Sequence, residues 1–383
     1  MSIELNEEQR LLRETVKRFA ENEVAPQAEE IDHEDKFPHT LFLELGKLGL
    51  LGITAPEEYG GSDAGLLSQA IVVEELAKAS AGLASSYAAH SNLVVDNLNR
   101  HANHLQKKKY LSGLCSGARI GCLAITEPGS GSDALAMRTS AAKDRDVYVL
   151  NGTKIFITNG PIADVIVTYA KTAPELGSKG ISTFIVEKDF PGFSVGKKIE
   201  KMGHKGSPFS ELVYEDCRVP KENLVGEENA MVRMVLAGLH RERIIWSAEA
   251  VGIAQGAFDI ARKYVIEREQ FGKSLAEFQM VKEKLVDMAM EIHLGRILVQ
   301  RCAVMADLEK AADVGLEASF AKLYACEMAE RVTSKAVHLL GGYGYTKEFQ
   351  VERFFRDAKA MPIGAGTSEI QRLIIARKLL SKV

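Results

Sequence analysis

Cysteine is scarce in this sequence, and charge of one sign is nowhere concentrated. The 383 residues include five cysteines, an odd number without the Cys-x-x-Cys spacing of redox and zinc motifs. We interpret them as reduced, packed side chains, and a redox-active thiol is the less favoured alternative. Lys and Arg total 48 against 52 for Asp and Glu, with no block of like charge that would indicate a nucleic-acid-binding tail. Nucleic acid is therefore not an expected partner.

Metal-ligand spacing, export signals and membrane spans are also missing. None of the nine histidines belongs to a His-Glu-x-x-His motif, so no metal centre is expected. The first residues are acidic and lack an apolar signal core or an Arg-rich leader. No apolar run approaches the ~18 residues of a membrane helix. We therefore expect a soluble protein without membrane insertion, cytoplasmic in a prokaryote, although a mitochondrial matrix protein whose transit peptide has been removed would have the same sequence features.

Apolar periodicity predicts an α+β protein with three domains. Asn6 and Gln9 resemble a capping box, and helical spacing then continues through an N-terminal helical domain at 1–120. Runs rich in β-branched residues, separated by turn residues, indicate a middle β-sheet domain at 121–230. Long helices return at 231–383, enough for a C-terminal four-helix bundle. The predicted strands of the middle domain are 147–158, 165–171, 181–187 and 211–219. The predicted helices of the C-terminal domain are 231–267, 274–311, 315–340 and 367–380.

Three glycine-bearing loops, at 127–133, 340–345 and 363–369, are candidates for holding a phosphate-rich ligand. A loop with few side chains lets backbone N–H groups approach an anion, and the third loop also leads into the N-terminus of a predicted helix. An ordinary turn is the commoner meaning of each loop alone. Because none follows a strand in a βαβ unit, a nicotinamide-binding Rossmann site is disfavoured.

A carboxylate lies on the apolar face of the helix that begins near residue 231. Glu242 falls within the stripe formed by Val235, Gly238, Leu239, Ile245 and Trp246. Desolvation there should raise the pKa of its carboxyl group, as a base working near neutral pH requires. The alternative is a core ion pair, for which three arginines are available: Arg233, Arg241 and Arg243.

Taken together, the loops and the helical–β–helical plan resemble the acyl-CoA dehydrogenases over essentially the whole chain. These FAD-dependent enzymes take two hydrogens from the α and β carbons of a coenzyme A thioester. Five segments in the family's order carry the resemblance: 124–133, 151–160, 268–272, 340–344 and 366–372.

The resemblance implies the positions that contact FAD. It places the isoalloxazine ring against Ile125, Thr126, Phe156 and Thr158, with Ser132 on the phosphate side, where it is also expected to reach the substrate. Family members usually have Trp where Phe156 stands. The resemblance further implies a homo-oligomer, typically a tetramer, in which a neighbouring subunit reaches the flavin diphosphate and adenine. The residues that match those distal contacts are Arg268, Phe271, His338, Gly341 and Gly342, and Thr367 and Glu369 match the remaining adenosine-side contacts.

One position departs from the common family pattern, and it is the position that usually holds the catalytic base. Most members carry the catalytic Glu directly before the Gly-Thr-Ser of the last loop, where this chain has Ala365. A minority branch, typified by isovaleryl-CoA dehydrogenase, has Gly-Ala-Gly-Thr-Ser there and places its base on the helix before an Arg. Glu242 and Arg243 fit that placement, and segments 86–93 and 157–161 resemble the same branch.

The mechanism that the resemblance implies has Glu242 removing the α-proton while the β-hydrogen leaves as hydride to the flavin. The backbone N–H of Ala365 and a flavin ribityl hydroxyl would hold the thioester oxygen, and Arg243 would contact coenzyme A. Electrons would then pass to an electron-transfer flavoprotein.

Two further substrate-binding positions, Gly364 and His240, bear on the acyl group. Straight-chain enzymes usually have a bulky Tyr where Gly364 stands, so a wide pocket and a short branched acyl group are expected. His240 and Arg241 add positive charge, which makes a branched dicarboxylyl-CoA the second candidate. A catalytically inert binding scaffold is a third, favoured by Ala365 and opposed by Glu242, and an acyl-CoA oxidase is disfavoured because those chains are generally much longer.

Overall fold

The computed structural model describes residues 4–308 and 311–381, without the side chains of 231–238 and 311–313. Its first part is helical, and the predicted capping box is confirmed. The Asn6 side chain accepts from the Gln9 N–H at 2.8 Å, and the Gln9 side chain accepts from the Asn6 N–H at 3.1 Å. The helices are α1 (Glu7–Phe19), α2 (Ala28–Glu34), α3 (His39–Lys47), α4 (Gly65–Ala77), α5 (Ala81–His90), α6 (Asn97–His101) and α7 (His104–Cys115).

The middle part is a mixed eight-stranded sheet. Its main path runs β6-β7-β3-β2-β4-β5-β8, and β1 pairs in parallel with β4. Three predicted strands, 147–158, 165–171 and 181–187, have the observed bounds, and the predicted strand at 211–219 lies within β7. The short strands β1, β2, β6 and β8 were not predicted. The strands are β1 (Gly121–Ala124), β2 (Ser140–Asp144), β3 (Val147–Thr158), β4 (Val165–Lys171), β5 (Ile181–Glu187), β6 (Phe193–Lys198), β7 (Phe209–Pro220) and β8 (Leu224–Val225).

The C-terminal part is helical again. Three long helices, α8, α9 and α10, pack on one another, α12 packs on α10, and α11 packs on α8 and α10. A hairpin of β9 and β10 separates α8 from α9, so α9 starts later than predicted. The elements are α8 (Met231–Glu267), β9 (Glu269–Gln270), β10 (Lys273–Ser274), α9 (Gln279–Asp307), α10 (Ala311–Leu340), α11 (Val351–Ala358) and α12 (Ser368–Leu380).

The two helical parts share one hydrophobic core. Helix α4 packs on both α8 and α9, and its Val72 and Leu76 are buried in the same cluster as Ile245 and Val251 of α8. A second cluster fills the interior of the β domain, and a third joins strands β4 and β5 to helix α7. The sheet is therefore anchored against helices on one face. This arrangement brings the start of α8, the end of α5 and strand β1 to a common region.

The interpretation of the cysteines as packed thiols is confirmed. All five are buried and free, and burial raises the pKa of every one of them. A thiol with a raised pKa is a poor nucleophile. Within the described residues, none of the helices is long and apolar enough to cross a membrane.

Candidate active site

Glu242 projects from α8 into a small cavity between the helical and β domains. The predicted apolar face is borne out at Leu239, which lines the cavity, and at Ile245, which is buried; Val235 and Gly238 lie outside the described side chains. Leu123 and Ile125, at the end of β1, form the opposite wall. The cavity therefore brings the candidate base and one predicted flavin contact together.

The carboxyl group of Glu242 is not held in a structural ion pair with any described side chain. Among the described residues, it has no hydrogen-bond or salt-bridge partner. Burial raises the pKa of its carboxyl group, and the nearby Arg243 and Lys322 oppose that shift without reversing it. A carboxylate in this state gains basicity from desolvation and is free to accept a proton.

The loop at 361–367 is held by side chains from three helices. Lys322, fully buried in α10, donates to the Pro362 carbonyl at 3.2 Å. Gln371, also buried, donates to the Gly366 carbonyl at 3.0 Å. Trp246, one turn after Glu242, donates its indole N–H to the Met361 carbonyl at 2.9 Å. The loop is thus fixed by contacts with α8, α10 and α12.

Ala365 lies in the left-handed region, with φ of 53°. A non-glycine residue there is strained and occurs most often where function requires it. Within the described chain, its backbone N–H makes no hydrogen bond. The conformation therefore leaves an N–H donor unused in this loop, as the predicted role at a thioester oxygen requires.

The expected wide pocket at Gly364 is wrong, because the indole of Trp246 fills that space. A Cβ atom at Gly364 would lie 2.6 Å from Cζ2 of Trp246. The ring is held by its bond to Met361 and by stacking on the buried His204, with centroids 6.0 Å apart and planes 9° from parallel. Straight-chain enzymes usually have a Tyr side chain at the position of Gly364. In this protein the ring of Trp246, from α8, occupies that space.

The expected positive charge of His240 and Arg241 is also wrong. Arg241 forms a two-pronged ion pair with the buried Asp96, at 2.7 and 2.8 Å. Burial, with a smaller effect of Arg243, lowers the pKa of His240 to about 4, so its ring is neutral. His240 packs against Gly315 of α10. Only the charge of Arg243 remains unneutralised in this group.

Arg243 is suited to an anionic or carbonyl ligand. Its side chain is buried, its Nε has no hydrogen-bond partner in the described residues, and one terminal nitrogen lies 3.3 Å from Nδ1 of His240. Burial lowers the pKa of the guanidinium, which Glu242 partly offsets, yet an arginine remains charged at neutral pH. A buried guanidinium with unused donors is unfavourable unless a ligand satisfies it.

Phe156 stands on a bulge of the sheet. Pairing of β3 with β7 shifts register between Lys154 and Ile157, and Phe156 has φ of 61°. Its ring is 53% exposed and stacks on Phe209, with centroids 5.7 Å apart. The N–H of Ile155 donates instead to the carbonyl of Thr126 at 2.9 Å. Bulges commonly reorient side chains beside active sites, and this one presents an apolar ring next to Thr126 and Thr158.

A buried ion pair supports the loop that carries Ser132. Glu127 accepts from the N–H groups of Arg138 and Thr139 at 2.6 and 2.9 Å and from Nζ of Lys154 at 2.9 Å. Lys154 also donates to the carbonyl of Ile125 at 3.1 Å. Desolvation opposes ionisation of Glu127, but Lys154 and the hydrogen bonds lower its pKa overall. Ser132 itself is exposed, away from the cavity at Glu242.

These features fit a flavin ring. Ile125, Thr126, Phe156 and Thr158 offer apolar surface and hydroxyl groups at adjacent strand ends, and the exposed ring of Phe156 has no role in the core. Thr367 caps α12 by accepting from the N–H of Ile370 at 3.3 Å. Within the described residues, no group of three or more His, Cys, Asp or Glu side chains could hold a metal ion.

The remaining predicted flavin contacts lie far from Glu242 in the same chain. Arg268 and Phe271 follow the end of α8, and helical rise places that end roughly 38 Å from Glu242. Phe271 forms the turn of the hairpin with φ of 55° and is 93% exposed. The guanidinium of Arg268 lies 5.9 Å from the ring centre of Tyr343, beside the exposed Gly341 and Gly342; His338, also exposed, is in the last turn of α10.

Sequence reasoning missed Trp246, Lys322 and the pair of Lys154 with Glu127 as parts of the site. Lys154 had a detectable signal, because it shares strand parity with the buried Tyr148 and Leu150. Lys322 stands alone among small and apolar residues of α10, which also marks an unusual lysine. The contact of Trp246 with Gly364 joins residues distant in sequence and had no local signal.

Three domain models of one protein family together match most of the chain. The models of the acyl-CoA dehydrogenase N-terminal, middle and C-terminal domains match residues 6–118, 122–217 and 232–380. These matches define an FAD-dependent oxidoreductase. The chain belongs to the acyl-CoA dehydrogenase family.

Individual relatives cover almost the whole chain. The short-chain specific acyl-CoA dehydrogenase of Clostridium acetobutylicum is 45% identical over 379 residues, 99% of this chain and 100% of the relative. The mitochondrial isovaleryl-CoA dehydrogenase of Pongo abelii is 44% identical, covering 97% of this chain and 89% of the relative.

Solved structures agree with this assignment. Butyryl-CoA dehydrogenase from Megasphaera elsdenii has a TM-score of 0.96 and 40% identity, covering 99% of this chain and 100% of the other. A chain in a structure described as the electron transferring flavoprotein of Acidaminococcus fermentans has a TM-score of 0.97 and 40% identity, with both chains fully covered. The predicted order of helical, β and helical domains is thereby confirmed.

Proposed function

We propose that this protein dehydrogenates a short branched acyl-CoA, similar to isovaleryl-CoA, to the 2-enoyl-CoA, with Glu242 as the base. The observation that carries the proposal is the pairing of two features. Glu242 is a carboxylate with a raised pKa and no partner among the described residues, and the loop beside it has Ala365 where a carboxylate is usual in the family. The base has thus been relocated to α8 and is not lost.

The side chains divide the work at the thioester. Glu242 takes the proton from the α carbon, which its freedom from ion pairing permits. The N–H of Ala365 donates to the thioester oxygen as negative charge develops there. Arg243 supplies an unused guanidinium donor to the coenzyme A portion. Bound FAD supplies the acceptor for the hydride that leaves the β carbon.

The cofactor contacts imply more than one copy of the chain. Ile125, Thr126, Phe156 and Thr158 would hold the flavin ring near Glu242. Because Arg268 lies roughly 38 Å from Glu242 along α8, we assign Arg268 and Phe271 of a second copy to that flavin's diphosphate. The exposed apolar turn at Phe271 supports such a contact. We propose a tetramer on the family pattern, with an electron-transfer flavoprotein as electron acceptor.

Two acyl groups are supported by different observations, a short branched chain and a short straight chain. The Gly-Ala-Gly-Thr-Ser loop and the similarity to isovaleryl-CoA dehydrogenase favour a branched acyl group. Filling of the Gly364 space by Trp246, together with the similarity to short-chain and butyryl-CoA dehydrogenases, favours a short straight chain. The dicarboxylyl candidate loses its charge argument, since Arg241 is paired and His240 is neutral.

A panel of acyl-CoA thioesters tests the proposal. The purified flavoprotein is mixed without oxygen with isovaleryl-, isobutyryl-, butyryl-, octanoyl- and succinyl-CoA, and loss of flavin absorbance is followed in time. The fastest bleaching is expected with isovaleryl-CoA. Faster bleaching by butyryl-CoA would establish the straight-chain rival, and absence of bleaching by every thioester would support an inert scaffold.

A further inference from the structure

A buried cluster of ionisable groups lies where the β domain meets the C-terminal helices, and the proposed mechanism does not use it. His204 comes from the segment before β7, Glu249 from α8 and Ser85 from α5, and all three side chains are buried. Oγ of Ser85 lies 2.7 Å from Nδ1 of His204 and 2.5 Å from Oε1 of Glu249. Nδ1 of His204 is 3.3 Å from the same carboxylate oxygen. These groups have to satisfy one another, since they are shielded from solvent.

The hydrogen bonds of this cluster can be satisfied only if it holds an extra proton. Nε2 of His204 lies 2.8 Å from the Asp357 carbonyl, which can only accept, so Nε2 carries a hydrogen. The Ser85 hydroxyl has a single hydrogen and two neighbours. If it donates to Glu249, then Nδ1 of His204 must donate to it, and the ring is cationic. If it donates to Nδ1 instead, Glu249 must be protonated. Both arrangements contain one proton more than a neutral histidine beside an ionised glutamate.

His90, which is also buried, shows the opposite arrangement. Its Nε2 lies 3.0 Å from the Leu114 carbonyl, and its Nδ1 accepts from the Gly121 N–H at 3.0 Å. One ring nitrogen donates and the other accepts, as in a neutral imidazole. Burial lowers the pKa of His90 to about 4. The two histidines differ in the partner of Nδ1, which is an N–H donor at His90 and a hydroxyl beside a carboxylate at His204.

The surrounding charges favour the arrangement with the proton on His204. Oε2 of Glu249 has no hydrogen-bond partner in the described part of the chain, so a cation beside this buried carboxylate is needed to offset its desolvation. Desolvation of the ring opposes protonation, but Glu249 and Asp357 raise the pKa of His204 overall. Stability contributed by this proton is therefore fully present below pH ~6.5 and lost as pH rises through the pKa of the folded protein.

The other described ionisable groups around the cluster do not compete for its proton. On α10, burial raises the pKa of the Cys326 thiol, which also feels the charge of Glu249, to about 12, so the thiol keeps its hydrogen at neutral pH. The remaining neighbours are basic and act on Asp357. They are Arg353 and Arg356 of α11 and Lys201 of the segment that carries His204.

His204 contacts two residues that position the last glycine loop. Its backbone N–H donates to Oδ1 of Asp357 at 2.5 Å, and its Nε2 donates to the carbonyl of the same residue. Asp357 lies in the last turn of α11, just before that loop. The face of the ring stacks on Trp246, which donates to the Met361 carbonyl and closely approaches Gly364. Because a cation over the face of an indole is attracted to it, the extra proton strengthens this stack.

We propose that Ser85, His204 and Glu249 share one buried proton, and that this proton makes His204 a positioning residue for Trp246 and the loop that carries Ala365. The role given to Ala365 rests on the proposed function, in which its N–H donates to the thioester oxygen. Loss of the proton weakens the stack on Trp246 and lets the loop shift. Catalysis should then slow while thioester binding changes little, because a small misplacement of a catalytic group affects mainly the reacting geometry.

The shared proton is tested through Trp246, the only tryptophan in the sequence. A cationic imidazole stacked on an indole quenches its emission more strongly than a neutral imidazole does. Tryptophan emission of the holoenzyme is measured from about pH 5 to about pH 9, the range in which a histidine titrates. The parent is compared with Glu249→Gln and Ser85→Ala. Glu267→Gln, which changes an exposed carboxylate on the same helix as Glu249, is the control.

Emission of the parent should stay quenched at neutral pH and recover with a midpoint above the ~6.5 of an ordinary histidine. Glu249→Gln should lower that midpoint by about 1–3 pH units, the usual effect of losing an adjacent opposite charge. Ser85→Ala should lower it less, because Nδ1 of His204 still lies 3.3 Å from the carboxylate. Glu267→Gln should follow the parent. Identical curves for the parent and Glu249→Gln would overturn the shared proton. If Glu249→Gln does not fold, an unchanged midpoint in Ser85→Ala would overturn it.

The positioning role is tested by single-turnover flavin bleaching with the best thioester of the panel. At neutral pH, Glu249→Gln should bleach about tenfold or more slowly than the parent, with the dissociation constant of the thioester nearly unchanged. Because acid restores the proton to His204 in this variant, the ratio of its rate to the parent rate should rise as pH falls. A ratio independent of pH, or a loss that is mainly in binding, would overturn the positioning role. Absence of bleaching by the parent would refute the proposed function instead, and the emission curves would still decide whether the proton is shared.

Discussion

Gly364 and Trp246 compete for one volume: a Cβ atom added to Gly364 would lie 2.6 Å from Cζ2 of Trp246. The loop glycine and the helix tryptophan are therefore a coupled pair, although 364 and 246 are far apart in sequence. Gly364 does not occupy the left-handed region, so the constraint on it is contact and not backbone strain. A larger side chain at Gly364 should therefore destabilise the fold by clashing with the indole of Trp246.

The coupling predicts that Gly364→Ala destabilises the fold by about 1–3 kcal/mol, as overpacking of a fixed neighbour does. Urea denaturation measures the loss. Gly129→Ala, where an added Cβ meets nothing within 4 Å, is the matched control and should be nearly neutral. In Trp246→Leu the loss from Gly364→Ala should shrink markedly, because the obstructing ring is gone. Strict additivity of the two substitutions would show that they are not coupled.

The raised pKa of Glu242 has a consequence for stability. Because burial raises the pKa of this carboxyl group in the folded protein, the folded state holds the proton more tightly than the unfolded chain does. Stability contributed by this group is therefore present at low pH and lost as pH rises through the folded pKa. Glu242→Gln should melt at a higher temperature than the parent at pH 7, and the difference should vanish below pH ~4. Glu267→Gln, at an exposed position of the same helix, should leave the melting temperature unchanged; a lower melting temperature for Glu242→Gln at pH 7 would refute the sign.

Arg268 is predicted to serve a flavin bound mainly by another copy of the chain. Arg268→Ala should purify with less FAD or as a smaller oligomer, because a charge-assisted contact with the diphosphate is removed. Flavin absorbance per chain and light scattering measure the two effects. Arg262→Ala, an exposed residue near the same end of α8, is the control and should keep both. Full flavin content in an oligomer of unchanged mass would count against the assignment of Arg268.

Lys154 is predicted to be essential to the loop at 127–133. Lys154→Met leaves the carboxylate of Glu127 buried without its cation, and breaking a buried pair in this way typically costs ~3–5 kcal/mol. Chemical denaturation of the single variant should show that loss. Combining Lys154→Met with Glu127→Gln should recover part of it, since the uncompensated charge is then absent. A change below about 0.5 kcal/mol in the single variant would mean that the pair is not a support of the loop.

Repeating local patterns explain which parts of the fold were predictable. The long helices and the strands at 147–158, 165–171 and 181–187 have sustained periodicity or β-branched runs, and their bounds were close to those observed. Strand β6 was missed because it is partly exposed and contains Ser, Gly and Lys. The start of α9 was misplaced because a two-residue turn at Phe271 and Gly272, both with positive φ, forms a hairpin there.

The candidate site also has some features with a local sequence signal and others that depend on packing between distant segments. Glu242 could be found because an apolar helical face surrounds it, and the loop glycines because they are local motifs. The filling of the Gly364 space and the neutralisation of Arg241 by Asp96 depend on packing between distant segments. No spacing within one segment contains that information, so the width and charge of the pocket were predicted wrongly from residue types alone.

Replacement of Glu242 tests the central claim most directly. Glu242→Gln keeps the shape of the side chain, so the purified protein should retain FAD and still perturb its flavin spectrum on adding acyl-CoA. Single-turnover bleaching by the best thioester of the panel should slow by ~10²–10⁴-fold or more, the usual range for losing a positioned base. Bleaching at close to the parent rate would contradict the assignment of Glu242 as the base.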